Sequence, residues 1–172
     1  PFKTAFTRVY RIFQEAGVAE RVVWIGSGKL GFPETGLLAF SFGCDMVAVG
    51  REAMMAVGCI QAQRCHTDHC PTGVATQNRW LTRGLDPEVQ APRLASYIAT
   101  LRKELLWLSR ACGEAHPGLV TGDHIEIMDD RFGSASLWEV FGYERGWGLP
   151  GERDRERIRH IMAELEGAAD AG

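Results

Sequence analysis

No stretch of apolar residues in this sequence approaches the roughly 20 needed to cross a bilayer, and no basic-then-apolar opening marks a secretory leader. Charge of neither sign prevails: 19 Lys and Arg face 22 Asp and Glu, for a net charge of −3. That balance leaves no footprint for nucleic acid or for an anionic membrane surface. Internal repeats and low-complexity tracts are also missing. Cysteine is scarce and odd in number, five in 172 residues, and three of the five fall in one short run. Such a set does not build a secreted disulfide framework. It points to metal or redox chemistry in a reducing compartment, expected to be the cytoplasm. The sequence opens at Pro1 and reads as helix within a few residues, so we expect a piece of a longer protein, whose upstream part could carry a membrane segment or a further domain. What is present, 45% hydrophobic and 24% charged, is an ordinary globular composition sized for about one domain.

Residues 4–16 place Phe6, Val9, Tyr10 and Phe13 at helical spacing, with Gly17 as the stop. Residues 21–25 (RVVWI) form a short apolar, β-branched run that enters Gly26-Ser27-Gly28-Lys29, a buried strand feeding a glycine loop. Residues 34–42 predict a helix ended by Gly43, and residues 45–49 (DMVAV) a second buried strand ending in Gly50-Arg51. Residues 52–58 read as helix and deliver the chain to the cysteines. Strand, glycine loop, helix, repeated, is a βα repeat and implies a parallel sheet. Two strands alone leave bare edges, which also suggests further strands upstream. Beyond the cysteines, residues 88–112 predict a long amphipathic helix with a stripe of Leu94, Ile98, Leu101, Leu105 and Leu108, closed by Gly113. Residues 118–128 are expected to be a short helical piece and 129–151 an ordered extended loop. Residues 152–168 predict a charged helix docked through Ile158, Ile161, Met162 and Leu165. We divide the chain into 1–80, two βα units with a cysteine loop, and 81–172, a helical and extended region packed on them.

The run CIQAQRCHTDHCPTGVATQ holds Cys59, Cys65 and Cys70 with the spacing C-x5-C-x4-C. Thiolates bind soft metals and build iron–sulfur centres. Three thiolates suit a centre of three irons, one thiolate to each. Zinc is the rival, with His66 or His69 as fourth ligand, and three small packed thiols that bind nothing are the plain alternative. Arg64, His66 and Asp68 could tune such a centre, although loop surface is the default reading. Gly26, Ser27, Gly28, Gly50 and Arg51 follow the two strands, where backbone N–H groups can approach a phosphate and Arg51 adds a fork of donors. In a (β/α)8 barrel the loops after the last two strands form a common phosphate site. Lys29 could stabilise negative charge at such a face, or be a solvated surface lysine. Cys44 and Cys112 read as packing residues, and Trp107, Trp138 and Trp147 as core or docking residues. His116 and His124 have no partner visible in the sequence.

Residues 22–77 resemble the carboxyl-terminal part of the FMN-binding barrel of glutamate synthases. The resemblance is carried by IGSGKL at 25–30, FGCDMVAVGREAM at 42–54 and GCIQAQRCHTDHCPTGVATQ at 58–77, the last being highly specific. The tail from His116 through GYERGWGLP looks like the shorter, FMN-binding members. The resemblance implies an α/β fold, the last two βα units of a (β/α)8 TIM barrel, followed by a cysteine-rich cluster loop and a helical tail. It implies Cys59, Cys65 and Cys70 as ligands of a [3Fe-4S] cluster. Gly26, Ser27, Gly28, Gly50 and Arg51 would be the FMN phosphate loops, and Lys29 a residue beside flavin and substrate. The implied activity is that of an oxidoreductase acting on CH–NH2 donors, forming L-glutamate from 2-oxoglutarate and ammonia or glutamine-derived nitrogen. Electrons would come from a donor protein or an NAD(P)H-linked subunit and pass through the cluster to FMN, which delivers hydride to bound 2-iminoglutarate. No nucleic-acid partner is implied, and this length of chain alone is expected to be inactive.

Departures from the family pattern are specific. Gly26-Ser27-Gly28 stands where an acidic residue and paired glycines are usual, Lys29-Leu30-Gly31 replaces Lys-Thr-Gly, and Asp68-His69 replaces Asn-Thr. The first two bear on 2-oxoglutarate specificity more than on flavin binding; the third bears on cluster potential. Two other readings stand beside this one. One is a related FMN and iron–sulfur oxidoreductase with another substrate, and the other a zinc-stapled, non-enzymatic module.

Overall fold

An aromatic stripe at three- and four-residue spacing builds the first helix. In the computed structural model, which describes residues 1–131 and 133–170, helix α1 runs Phe2–Glu15 and ends at Gly17, where φ is 67°. Phe6, Tyr10 and Phe13 pack edge-on against Trp24 at centroid distances of 5.6, 5.0 and 5.1 Å. Val9, expected on this face, is 46% exposed and lies outside it.

Strand β1 (Ile25–Ser27) pairs in parallel with β2 (Met46–Ala48), in the register Ile25↔Met46, Gly26↔Val47, Ser27↔Ala48. Helix α2 (Pro33–Ser41) makes the crossover, and Gly43 at φ 102° turns the chain towards β2. The first strand thus lies later than residues 21–25. Ala19–Arg21 is a 3-10 turn, and Val22 and Val23 are exposed. The backbone gives the reason. The Asp45 carboxylate accepts the Trp24 N–H at 2.7 Å and the Trp24 carbonyl accepts the Asp45 and Met46 N–H groups, closing the ladder at that point.

Helix α3 (Arg51–Ala56) leads to the cysteine loop, and α4 (Pro87–Ala111) follows it. Asp86 caps α4 by accepting the Glu88 N–H at 3.0 Å, with Pro87 in the first turn. Only part of the expected stripe is buried: Leu101 and Leu105 join Leu37 and Val120 in one cluster, while Ile98 stays at the surface.

Residues 118–128 are not a helical piece. They form two 3-10 turns, Pro117–Leu119 and Gly122–His124, and then strand β3 (Glu126–Met128). Nor is 129–151 a plain extended loop, because β4 (Ser134–Ser136) pairs antiparallel with β3 and α5 (Leu137–Phe141) follows. Asp129 closes this hairpin, its carboxylate accepting the Arg131 and Gly133 N–H groups, each at 2.8 Å. The Ser136/Glu139 capping box then starts α5. Helix α6 (Glu152–Asp170) docks through Met162 and half-buried Ile158, whereas Ile161 and Leu165 are exposed. Among the described residues no helix is long and apolar enough to cross a membrane.

The main core joins both ends of the chain. Phe42 and Leu137 are fully buried and share a cluster with Tyr10, Trp138 and Tyr143. The Tyr143 hydroxyl donates to the Phe42 carbonyl at 3.1 Å, and the Gly148 N–H donates to the Tyr10 hydroxyl at 3.2 Å. Phe42→Ala is expected to lower unfolding free energy by about 3–5 kcal/mol through lost burial and the cavity left behind. Denaturant titration measures it, and a loss below about 1 kcal/mol would show that this ring does not anchor the core.

Candidate functional site

Parallel pairing brings the two glycine loops to one edge. Because Ser27 sits opposite Ala48, residues 28–31 and 49–51 leave the sheet side by side at the carboxyl ends of β1 and β2. The residues of the expected phosphate set then separate by role. Gly26 lies inside β1, buried, and a Cβ there would meet the Cys44 sulfur at 2.7 Å and Leu30 at 3.0 Å. Close packing therefore accounts for this glycine. Gly28 takes φ 146° with the Phe2 Cβ 2.9 Å from where its own would stand, so both conformation and space require glycine. Ser27, Lys29, Gly50 and Arg51 are exposed, and nothing lies within 4 Å of a Cβ built on Gly50. This open backbone beside two cations is a surface an anion can approach.

Lys29 has φ 61°, a left-handed conformation that a side-chain-bearing residue adopts at a cost of order 1 kcal/mol. Four non-glycine residues among those described do this: Lys29, Gln61, Gln63 and Asp68. One is in the first glycine loop and three lie between the cysteines. Among the described residues, left-handed non-glycine backbone is thus confined to the two segments singled out by sequence.

The cysteine loop is irregular apart from the 3-10 turn Cys65–Thr67. None of the five cysteines is in a disulfide. Cys59 is half-buried, and its sulfur accepts the Gln61 N–H at 3.4 Å. Cys65 is exposed, and Cys70 is buried. Thr72, whose hydroxyl lies 3.6 Å from the Cys70 sulfur, and the backbone N–H groups of Ala75, Thr72 and Val74 pull this thiol down to about 7. A thiolate ligand is what iron or zinc requires, so the donor chemistry fits a thiolate-bound centre. The three sulfurs are not drawn together: among the described residues no group of three or more His, Cys, Asp or Glu side chains is gathered as a metal site.

Asp68, expected as loop surface, organises this segment. Its carboxylate accepts the Gln77 N–H at 2.5 Å and the Thr76 hydroxyl at 2.9 Å, and these bonds, the Gln77 backbone one foremost, hold it below the ordinary carboxylate range. Gly73, at φ 78°, lets the loop press on the next turn, where a Cβ would meet the Leu81 carbonyl oxygen at 2.4 Å. His116 and His124 prove structural: their Nδ1 atoms accept the Gly118 and Thr121 N–H groups, each at 3.1 Å. Cys44 is a packing thiol, pushed up to about 12 by burial and then by Asp45. Trp138 is buried as expected, but Trp107 is 57% exposed, with the Lys103 amine 4.6 Å over its ring. Glu52 and Tyr97, missed by sequence reasoning, both pack on Gly31. Helical periodicity alone gave neither a signal.

A family model described as a conserved region in glutamate synthase matches residues 1–115. The chain belongs to the glutamate synthase family. It is 34% identical over 125 residues, 73% of its length, to the glutamate synthase large subunit-like protein YerD of Bacillus subtilis. It is 35% identical over 113 residues, 66% of its length, to an archaeal glutamate synthase of Methanocaldococcus jannaschii whose name carries NADPH. A ferredoxin-dependent glutamate synthase of Synechocystis is 37% identical over 81 residues, 47% of this chain and 5% of that relative. The chain spans 24% and 22% of the first two relatives. The matched 115 residues take in both glycine loops and all three clustered cysteines of this glutamate synthase segment.

Two measurements test the local chemistry. Lys29→Gly is expected to stabilise the fold by about 0.5–1 kcal/mol, because glycine adopts a left-handed φ without penalty. An unchanged or lower denaturation midpoint would remove the claim of strain. In the iron-free chain, alkylation of Cys70 is expected to rise through a midpoint near pH 7. The thiol is depressed in the fold, so its contribution to stability is full above the unfolded thiol range and is lost as pH falls through that midpoint. Thr72→Val should move the midpoint upward, and a midpoint that stays put would remove Thr72 as its main cause.

Proposed function

We propose that this chain is the carboxyl-terminal part of the (β/α)8 barrel of a flavin and iron–sulfur oxidoreductase that forms L-glutamate reductively from 2-oxoglutarate. The observation that carries the reading is that, among the described residues, every left-handed non-glycine residue falls in the glycine and cysteine loops of a glutamate synthase family member. Residues 1–80 would be the end of the barrel with its cluster loop, and 81–172 the region packed on it.

The exposed Arg51 guanidinium would bind phosphate in a two-pronged geometry, with the open backbone at Gly50 and the Gly28 turn supplying N–H donors. Lys29 would hold a carboxylate or offset negative charge beside that phosphate. Cys59, Cys65 and Cys70 would hold a [3Fe-4S] cluster, with Cys70 already shifted towards the thiolate by its hydrogen bonds. When bound, FMN supplies hydride transfer and the cluster supplies one-electron transfer. The donor would be ferredoxin-like or NADPH-linked, both of which occur in the names of relatives. The nitrogen donor would be ammonia, free or derived from glutamine.

Iron and labile-sulfide analysis of the full-length protein, with Cys65→Ser beside it, tests this reading. The parent protein is expected to show flavin bands over a broad iron–sulfur absorption, and to form glutamate from 2-oxoglutarate and ammonia under reducing conditions. Cys65→Ser should lose the broad absorption and keep the flavin bands. One zinc with no iron would replace the redox reading by a stapled loop. Retained iron absorption in the variant would remove Cys65 as a ligand.

A further inference from the structure

The loop that carries Lys29 is gripped from several sides, and Lys29 is its outward-facing side chain. Gly28 rests on Phe2 of α1, where a Cβ added to the glycine would stand 2.9 Å from the Phe2 Cβ. Leu30 is 3% exposed and packs with Cys44 and Ala39. Gly31 is covered by two side chains from different helices. A Cβ at Gly31 would stand 2.6 Å from the Glu52 Cγ, 2.7 Å from its Cβ and 2.6 Å from the Tyr97 hydroxyl. That hydroxyl donates to the Gly31 carbonyl at 2.8 Å across 66 positions of sequence. Burial, and then the charge of Glu52, push Tyr97 above its ordinary value.

Glu52 is the second residue of α3, next to Arg51, and is 8% exposed. A glutamate whose stem is this well covered is unusual in a helix's first turn, where acidic side chains are normally solvated along their length. Its stem fills the space that Gly31 leaves. One contact therefore ties the first glycine loop to the residue beside Arg51, and Tyr97 ties both to α4.

We propose that Glu52 and Tyr97 are positioning residues that lock the two glycine loops together at Gly31, so that Lys29 and Arg51 meet one anionic ligand at a fixed separation. The lock acts through shape: the Glu52 stem and the Tyr97 hydrogen bond oppose relaxation of the left-handed Lys29. Its purpose rests on the proposed function, but its existence does not, and the two are tested separately.

Unfolding of the full-length protein with Glu52→Ala, Tyr97→Phe and the double variant tests the lock. Both side chains bear on one glycine, so the two losses are expected to be non-additive, the double variant losing less than the product of the single changes in equilibrium constant. Additive losses would overturn the lock. Glu52→Gln keeps the stem and should behave as the parent protein; behaviour like Glu52→Ala would overturn the shape argument. Flavin affinity, probed with FMN itself, tests the purpose. Tyr97→Phe should weaken FMN binding by up to about fivefold, the shift reached if the ligand must itself restore the ordering this one hydrogen bond supplies, and by less than twofold when Arg51→Ala is already present. Equal effects in both backgrounds would overturn the positioning role. A parent protein without FMN affinity would overturn the proposed function and leave the unfolding cycle to decide the lock.

Discussion

Six residues of parallel pairing, Ile25–Ser27 against Met46–Ala48, govern the geometry of this chain. A parallel pair cannot be closed by a hairpin, so α2 must cross over, and both strands then end at the same edge. Had the strands been antiparallel, the Gly28 turn and the Gly50-Arg51 turn would leave at opposite ends and could not share a ligand. The stop imposed by Asp45 on the Trp24 N–H fixes where pairing begins. The register thereby sets which residues stand outside the sheet, and Gly26, held inside by the Cys44 sulfur, shows how tightly.

Strain is distributed unevenly, and its neighbours explain why it persists. A left-handed residue with a side chain reverts unless packing over-determines it. At Lys29 the surrounding restraints are Phe2, Leu30, Glu52 and Tyr97. In the cysteine loop they are the Asp68 carboxylate, bonded to Thr76 and Gln77, and the close approach of Gly73 to Leu81. The two segments use different means. The first is clamped by side chains from three helices, the second by hydrogen bonds within itself. The cysteine loop can therefore change shape with little effect on the core, since residues 60–69 are all exposed.

Much of this was legible in the sequence where signals are local. Gly17, Gly43 and Gly113 stop helices as read, each with positive φ. The Ser136-x-x-Glu139 capping signature was also present, but the surrounding Gly and aromatic residues suggested a loop, so α5 was missed. Long-range terms account for the other differences. Val22 and Val23 have high strand propensity yet stand outside the strand, because pairing begins only at Ile25↔Met46. Residues 126–128 become strand because Asp129 turns the chain back on Ser134–Ser136, a pairing that no periodicity in three residues can announce. At the candidate site, residue types and spacing located both loops. The supporting residues were not legible, because Glu52 reads as a solvated helix start and Tyr97 as one more position on a long helix.

The same contrast suits the two kinds of binding proposed for this segment. A phosphate site works by preorganisation, since backbone N–H groups and a guanidinium must already stand at the right spacing when the anion arrives. The packing of Phe2, Glu52 and Tyr97 around Gly28 and Gly31 holds the first glycine loop in the way such a site needs. A thiolate centre works in the opposite way: metal binding itself supplies the free energy that gathers dispersed ligands. The cysteine loop has the matching properties. Its three thiols are free and ungathered, one is tuned towards thiolate, and the hydrogen bonds around Asp68 hold the far end of the loop near Cys70. Rigid where an anion must be met and compliant where a metal would do the gathering, the chain is consistent at each site with the physics its residues imply.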